Sequence, residues 1–164
     1  MNTTEEFVLI VLGSGSDLPQ VAPAQEVLTQ LNIPFETRIA SAHRTPDDLR
    51  SILSDAEQRG CAVILAAAGL SAHLAGTVAA HSLKPVIGIP IVTGPLQGVD
   101  ALLSTIQMPK GVPVACTGLG ISANSAWMAA RILALSNPTV AQKLAQETQK
   151  MADKVRQQDA DLNP

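Results

Sequence analysis

A histidine and an arginine stand side by side in the segment SAHRTPDD, residues 41–48. Imidazole titrates near neutral pH and can move protons, and guanidinium is a permanently charged donor that suits phosphate. The residues after this pair are typical of a helix start, with Thr45 as the N-cap and Pro46 at the first helical position. His43 and Arg44 have no part in that start, so we expect them to act on a ligand.

A segment of glycine and serine, GSGSD at residues 13–17, precedes a predicted helix. Backbone N–H groups at a helix N-terminus, with the Ser14 and Ser16 hydroxyls, can bind a phosphate. The segment is not a P-loop, and it lacks the dinucleotide fingerprint because Leu18 stands where the third glycine belongs. An ordinary turn with Asp17 as N-cap is the alternative interpretation. Arg44, at a second strand end, favours the phosphate site.

A third loop, AGLSAHLAG at residues 68–76, contains a second histidine, His73. A single histidine is more often structural than catalytic, but two on separate loops of one predicted cleft favour proton transfer. The small residues would let the backbone approach a flat substrate and exclude water, although close packing of a helix on a sheet explains them equally well. We assign no role to His81, near a helix end, and expect no metal, because no cluster of ligands accompanies these residues.

Apolar segments that alternate with helical patterns predict the scaffold of these loops. Strands that are apolar on both faces and separated by helices indicate an α/β, three-layer, flavodoxin-like parallel sheet of order 2-1-3-4-5. In this order, ligands bind at the carboxyl ends of strands 1 and 3, where the three loops converge. The predicted strands are residues 7–12, 35–40, 61–68, 84–91 and 112–119, and the predicted helices are about 19–30, 46–59, 73–82, 100–106 and 124–135.

An extra C-terminal helix is predicted over residues 138–162 of a single domain, 1–164, whose core is 7–135. It carries a narrow apolar stripe, which suits packing either on its own domain or on a neighbouring subunit. Only 15% of the residues are charged, which is low for a monomer, so we expect the neighbour. The stripe consists of Val140, Leu144, Met151 and Val155.

Composition excludes several classes of function. The formal net charge is -3 and the basic residues are scattered, which argues against nucleic-acid binding. No apolar segment reaches the length of a membrane span, and the polar start does not resemble a signal peptide. We therefore expect a cytoplasmic protein.

Several segments, in order, resemble the motif series of the class I N5-carboxyaminoimidazole ribonucleotide mutases, the catalytic-subunit family of phosphoribosylaminoimidazole carboxylase. They are GSGSD, SAHRTPD, AGLSAHLAG, PVIGIPI, GVDALLSTIQMPKGVPVA and NSAWMAARIL, and they extend from about Val8 to Leu135. The resemblance implies a flavodoxin-like homo-octamer whose C-terminal helix reaches a neighbour, and which needs no metal, biotin or ATP. The implied reaction, in purine biosynthesis, moves a carboxyl group from the exocyclic nitrogen to ring carbon 4 of aminoimidazole ribonucleotide.

The resemblance also implies a role for each matched residue. Ser14, Ser16 and Arg44 would hold the 5′-phosphate, and Asp17 would hold the ribose hydroxyls. His43 would carry the proton at carbon 4, with His73 beside the ring. Further expected substrate contacts are Ser41, Gly69 and Leu74.

The chain departs from the family pattern in the third loop and in one helix. Many members have glycine or alanine in place of Leu70 or Ser71, and proline in place of Ala75. Trp127 stands in a helix that is usually small and aliphatic there, and we expect it at a subunit contact.

The sequence leaves two alternative functions open, a related carboxylase and a non-enzymatic module. Class II relatives carboxylate aminoimidazole ribonucleotide directly with carbon dioxide and carry lysine in place of Arg44. A non-enzymatic flavodoxin-like module is the other alternative, but Ala67 and Ala68 stand where a receiver domain needs aspartate. A flavin carrier would need aromatic stacking, and no aromatic residue lies on a crevice loop.

Overall fold

A five-stranded parallel sheet is the centre of the fold in the computed structural model, which describes residues 6–163. The strands are β1 (Phe7–Leu12), β2 (Phe35–Ile39), β3 (Cys61–Ala68), β4 (Val86–Pro90) and β5 (Ala115–Cys116). They pair in the order β2-β1-β3-β4-β5, so the predicted topology is confirmed. β1 and β4 are buried along their whole length, as expected for inner strands covered on both faces.

Helices cover both faces of the sheet and complete the three predicted layers. They are α1 (Leu18–Gln30), α2 (Pro46–Gln58), α3 (Leu74–His81), α4 (Val99–Ile106), α5 (Ser122–Leu133) and α6 (Pro138–Leu162). α1 and α5 bury one apolar cluster, which includes Leu28 and Ala129, and α2 and α3 bury the other, which includes Leu49 and Val78. Each fully buried leucine contributes about 1.5–3 kcal/mol from apolar burial.

The fifth strand is much shorter than the predicted segment 112–119. Only Ala115 and Cys116 pair with β4. After them the chain turns out of the sheet, because Gly118 and Gly120 adopt positive φ angles of 137° and 68° that a strand does not allow. The predicted bounds of β5 are therefore wrong, although its existence and position at the sheet edge are right.

The first half of α6 packs on its own domain. Val140 is buried in the cluster beneath α1 and α5, and Leu144 packs against that cluster. Gln30 of α1 donates a hydrogen bond to Glu147, 2.5 Å between Nε2 and Oε2. The expectation that the whole stripe faces a neighbour is wrong for these two apolar residues, whereas Met151 and Val155 beyond them are exposed.

Trp127 of α5 also packs, partly buried, against that same core cluster.

The longest helix, α6, has 25 residues and is mostly polar. Within residues 6–163, no helix combines the length and the hydropathy that a membrane crossing needs.

Candidate active site

A cleft of about 740 Å³ opens at the carboxyl ends of β1, β2 and β3, at the switch point of the sheet. Three loops line it, residues 13–17, 41–44 and 68–74, as the topology predicts. The structure brings all nine predicted site residues into this one cleft: Ser14, Ser16, Asp17, Ser41, His43, Arg44, Gly69, His73 and Leu74.

The first loop is organised by the side chains of Ser14 and Asp17. It forms a short 3-10 helix, Gly15–Asp17, whose cap is Ser14. The Ser14 N–H donates to the Asp17 carboxylate at 3.1 Å, and the Ser16 hydroxyl donates to the Ser14 hydroxyl at 2.8 Å. Asp17 occupies the N-cap position of α1, but its carboxylate makes no capping hydrogen bond to that helix. The alternative prediction that its side chain caps α1 is therefore wrong. The loop is thus fixed by its own hydrogen bonds, with Ser14 and Ser16 in the lining of the cleft.

Burial decides the protonation behaviour of Asp17. Its side chain is 8% exposed, and desolvation raises the pKa of the carboxyl, because a charge loses hydration there. Hydrogen bonds from the Ser14 N–H and the Ser16 hydroxyl lower the pKa, but by less than burial raises it. An ionised Asp17 accepts hydrogen bonds only, so its ability to bind ligand hydroxyls decreases as the pH falls through this raised pKa.

The second loop is closed by Thr45, although not in the predicted manner. Thr45 occupies the N-cap position of α2, but its hydroxyl accepts a hydrogen bond from the Ser41 N–H at 2.9 Å instead of capping the helix. The Thr45 N–H donates to the Ser41 carbonyl at 2.9 Å. These two bonds form a tight ring that fixes the direction of His43 and Arg44.

Arg44 joins the first and second loops. Its Nε donates to the Ser41 hydroxyl and its Nη2 donates to the Gly13 carbonyl, each at 3.4 Å. A guanidinium has five N–H donors, so the others stay available at the rim of the cleft. Arg44 is exposed, and its planar donors suit a phosphate beside Ser14 and Ser16.

His43 and His73 are 30 residues apart in the chain and form a hydrogen-bonded pair in the cleft. His43 Nε2 and His73 Nδ1 are 2.8 Å apart, and the two rings are nearly perpendicular, at 81°. One ring must donate and the other accept, so the tautomer of one histidine fixes that of the other. Both side chains are exposed to the cleft, which allows either to exchange a proton with a ligand.

The third loop is strained and is fixed by α4. Leu70 has a φ of 56°, in the left-handed region that an L side chain seldom adopts. The Ala72 N–H donates to the Ser104 hydroxyl of α4 at 3.0 Å, and that hydroxyl in turn donates to the Asp100 carbonyl at 2.7 Å. The loop thereby presents His73 at the start of α3.

The sequence patterns did not indicate two features of the site, Thr93 in the cleft wall and the hydrogen bond to Ser104. Thr93 follows β4, so the rule that ligands bind at strand ends could have included it. Ser104 gave no signal, because one serine in a helix is unremarkable. Within residues 6–163, no group of three or more histidine, cysteine or acidic side chains could hold a metal ion.

These features define the class of the protein: a flavodoxin-like α/β protein with a cleft at the switch point of the sheet, lined by serine and arginine side chains and by a pair of histidines. The family model described as AIR carboxylase matches residues 7–154. The chain therefore belongs to the AIR carboxylase family.

Known relatives agree with this assignment over nearly the whole chain. The N5-carboxyaminoimidazole ribonucleotide mutase of Mycobacterium tuberculosis is 44% identical over 153 residues, which is 93% of this chain and 88% of that protein. The mutase of Synechocystis is 43% identical over 162 residues, 99% of this chain and 92% of that protein. The crystal structure of Treponema denticola PurE superposes with a TM-score of 0.88 at 28% identity, covering 97% and 99% of the two chains.

Proposed function

We propose that this chain converts N5-carboxyaminoimidazole ribonucleotide into 4-carboxy-5-aminoimidazole ribonucleotide, in the synthesis of purines, with no metal or cofactor. The observation that carries the proposal is the histidine pair, 2.8 Å apart, in one cleft with the phosphate-type donors of the first two loops. The similarity to known mutases supports the same reaction.

The ribonucleotide end of the substrate binds to the first and second loops. The 5′-phosphate accepts hydrogen bonds from the hydroxyls of Ser14 and Ser16 and from the free donors of Arg44. Ser41 orients Arg44 through its hydroxyl, at 3.4 Å from Nε. Asp17 accepts hydrogen bonds from the ribose hydroxyls in its ionised form.

The carboxyl transfer needs a water-poor space more than it needs strong binding groups. The bond between the exocyclic nitrogen and the carboxyl carbon breaks, carbon dioxide leaves, and the nitrogen takes a proton. Ring carbon 4, which is enamine-like, then attacks the carbon dioxide and forms the new C–C bond. Gly69 and the buried Leu74 form a wall that holds the gas near the ring.

The proton balance of the reaction explains the histidines. A proton must reach the nitrogen when carbon dioxide leaves, and another must leave carbon 4 afterwards to restore aromaticity. One residue that gives the first and takes the second returns to its starting state, and His43 is that residue. His73 accepts from or donates to His43 and keeps its ring in the productive orientation.

A comparison of two substrates tests the proposal. The purified protein, without ATP, should form the 4-carboxy product rapidly from N5-carboxyaminoimidazole ribonucleotide and only slowly from aminoimidazole ribonucleotide plus carbon dioxide. Turnover of the second mixture alone would identify a class II carboxylase. Nucleotide binding with no turnover of either would indicate a non-enzymatic module.

We also propose that the enzyme is a cytoplasmic homo-octamer whose neighbours cover the outer half of α6. The exposed Met151 and Val155 and the low content of charge support an assembly. The two cysteines are free, which suits a reducing compartment.

A further inference from the structure

The loop between β4 and α4, residues 91–98, contributes Thr93 to the wall of the cleft. β4 ends at Pro90, and the loop keeps one more backbone bond to the sheet, from the Ile91 N–H to the Ala68 carbonyl of β3 at 2.9 Å. Gly94, Gln97 and Gly98 all have positive φ angles, of 70°, 50° and 84°, so the backbone beyond Thr93 turns repeatedly and cannot form a regular ladder. Something outside the sheet must therefore fix where Thr93 lies.

Gln20, in the first turns of α1, supplies that support. The Val92 N–H donates to Gln20 Oε1 at 2.9 Å, and Gln20 Nε2 donates to the Val92 carbonyl at 3.1 Å. A carboxamide presents the same donor and acceptor as a peptide group. Gln20 thus takes the place of a neighbouring strand at Val92, two residues after β4 ends.

Two close contacts hold the same loop against the third loop of the cleft. A Cβ added to Gly69 would lie 2.4 Å from Thr93 Cγ2, so Thr93 already packs on the bare Gly69 backbone. A Cβ added to Gly94 would lie 2.6 Å from Leu70 Cδ2, so Leu70 packs on Gly94 in the same way. These contacts are apolar and do not fix where Thr93 lies along the strand direction. The two hydrogen bonds between Gln20 and Val92 are directional and do fix that position.

We infer that Gln20 is a positioning residue, which fixes Val92 so that Thr93 forms the substrate wall. This inference rests on the proposed function. Gln20 is three residues beyond Asp17, so α1 joins the loop that binds the phosphate to the wall beside the ring. Without the Gln20 bonds the wall would be loose in the free enzyme, and both the substrate complex and the transition state would have to order it. This equal cost raises KM and leaves kcat nearly unchanged.

Kinetics of Gln20→Met test the inference, with Gln25→Met as the matched control. Gln25 is on the same helix and donates to Thr37 at 2.9 Å, away from the cleft. We expect Gln20→Met to raise KM on the order of tenfold, with kcat within about twofold, because two neutral hydrogen bonds are lost. Gln25→Met should leave KM unchanged. Equal KM values for the two variants would overturn the inference.

A double mutant separates positioning from general destabilisation. In a Thr93→Val background, Gln20→Met should change KM by less than about twofold, since Gln20 acts through Thr93. If the double mutant raises KM by the product of the two single-mutant factors, the two residues act independently and the inference is contradicted. If Gln20→Met does not fold, Gln20→Ala against Gln25→Ala gives the same comparison. If the wild-type protein does not turn over the substrate, the proposed function and this role of Gln20 are both rejected. If the wild type turns over the substrate and Gln20→Met has the same KM as the wild type, only the role of Gln20 is rejected.

Discussion

Because His43 and His73 are hydrogen bonded to each other, a proton in the cleft can reside on either of two adjacent rings. Each ring of the pair needs the other in a complementary tautomer, so a change of protonation at His43 is transmitted to His73. Arg44, next to His43 in the chain, has its backbone N–H bonded to the Ser41 hydroxyl at 3.2 Å. The proposed proton carrier, His43, and the proposed phosphate ligand, Arg44, therefore share one short loop that Ser41 and Thr45 close with hydrogen bonds.

Replacement of His43 by asparagine should separate chemistry from binding. Asparagine is polar and planar but cannot carry a proton at neutral pH, so we expect kcat to fall by about 10²–10⁴-fold. Binding of aminoimidazole ribonucleotide, measured by calorimetry, should change little, because Ser14, Ser16 and Arg44 are untouched. His81→Asn is the control, since His81 bonds to Thr77 and Arg50 outside the cleft. Activity of His43→Asn above a tenth of wild type would contradict the assigned role.

The elements differ in how well their sequence predicts them. β1, β3 and β4 are predictable because a central parallel strand needs an unbroken apolar segment. β5 is not, because its segment is equally apolar but ends where Gly118 and Gly120 turn, and the sequence does not say which glycine takes a positive φ. The docking of α6 is likewise undetermined, since one apolar stripe suits two different partners.

The candidate site, like the elements, can be predicted only in part from the sequence. The topology rule predicts which three loops meet, and the charged and polar residues on them are visible in the sequence. The pairing of His43 with His73 needs the actual register of β2 and β3 on either side of β1, which no local pattern contains. Thr93 and Gln20 are ordinary residues whose importance arises only from contacts distant in sequence.

Glu147 makes the docking of α6 depend on pH. The Lys150 ammonium, 2.7 Å away, and the Gln30 amide hold the pKa of this carboxyl below its usual value. A lowered folded pKa means that the stabilisation is present above the unfolded pKa and is lost as the pH falls through the folded pKa. We expect Glu147→Gln to lower Tm at pH 7 by a few degrees, and the difference from wild type to shrink below about pH 4.

Calorimetric scans between pH 3 and pH 7 measure this difference. Glu26→Gln, which alters an exposed carboxylate on α1, is the control and should not change Tm at either pH. A difference between Glu147→Gln and wild type that stays constant over the whole range would mean that the charge of Glu147 does not contribute to docking.

At the scale of the whole molecule, several elements expose apolar side chains, and α4 and α6 each expose more than one. Val99, Leu103 and Ile106, which share one face of α4, are 50%, 50% and 43% exposed, and Met151 and Val155 extend the apolar surface on α6. A chain with only 15% charged residues has few side chains with which to solvate such faces. The proposed assembly would remove this surface from water by burying it against further copies of the chain.

We predict that light scattering will give a mass of eight 17.0 kDa chains, and that a charge in the outer half of α6 will reduce it. Val155→Glu puts a carboxylate into the apolar face, where desolvation opposes assembly, so smaller species should appear at the same concentration. Gln158→Glu adds the same charge at an exposed polar position of the same helix and should leave the octamer intact. A monomeric wild type would contradict the assembly, and an octameric Val155→Glu would mean that the outer half of α6 lies outside the interface. A Val155→Glu protein that dissociates and keeps full activity would further mean that a single chain holds a complete site.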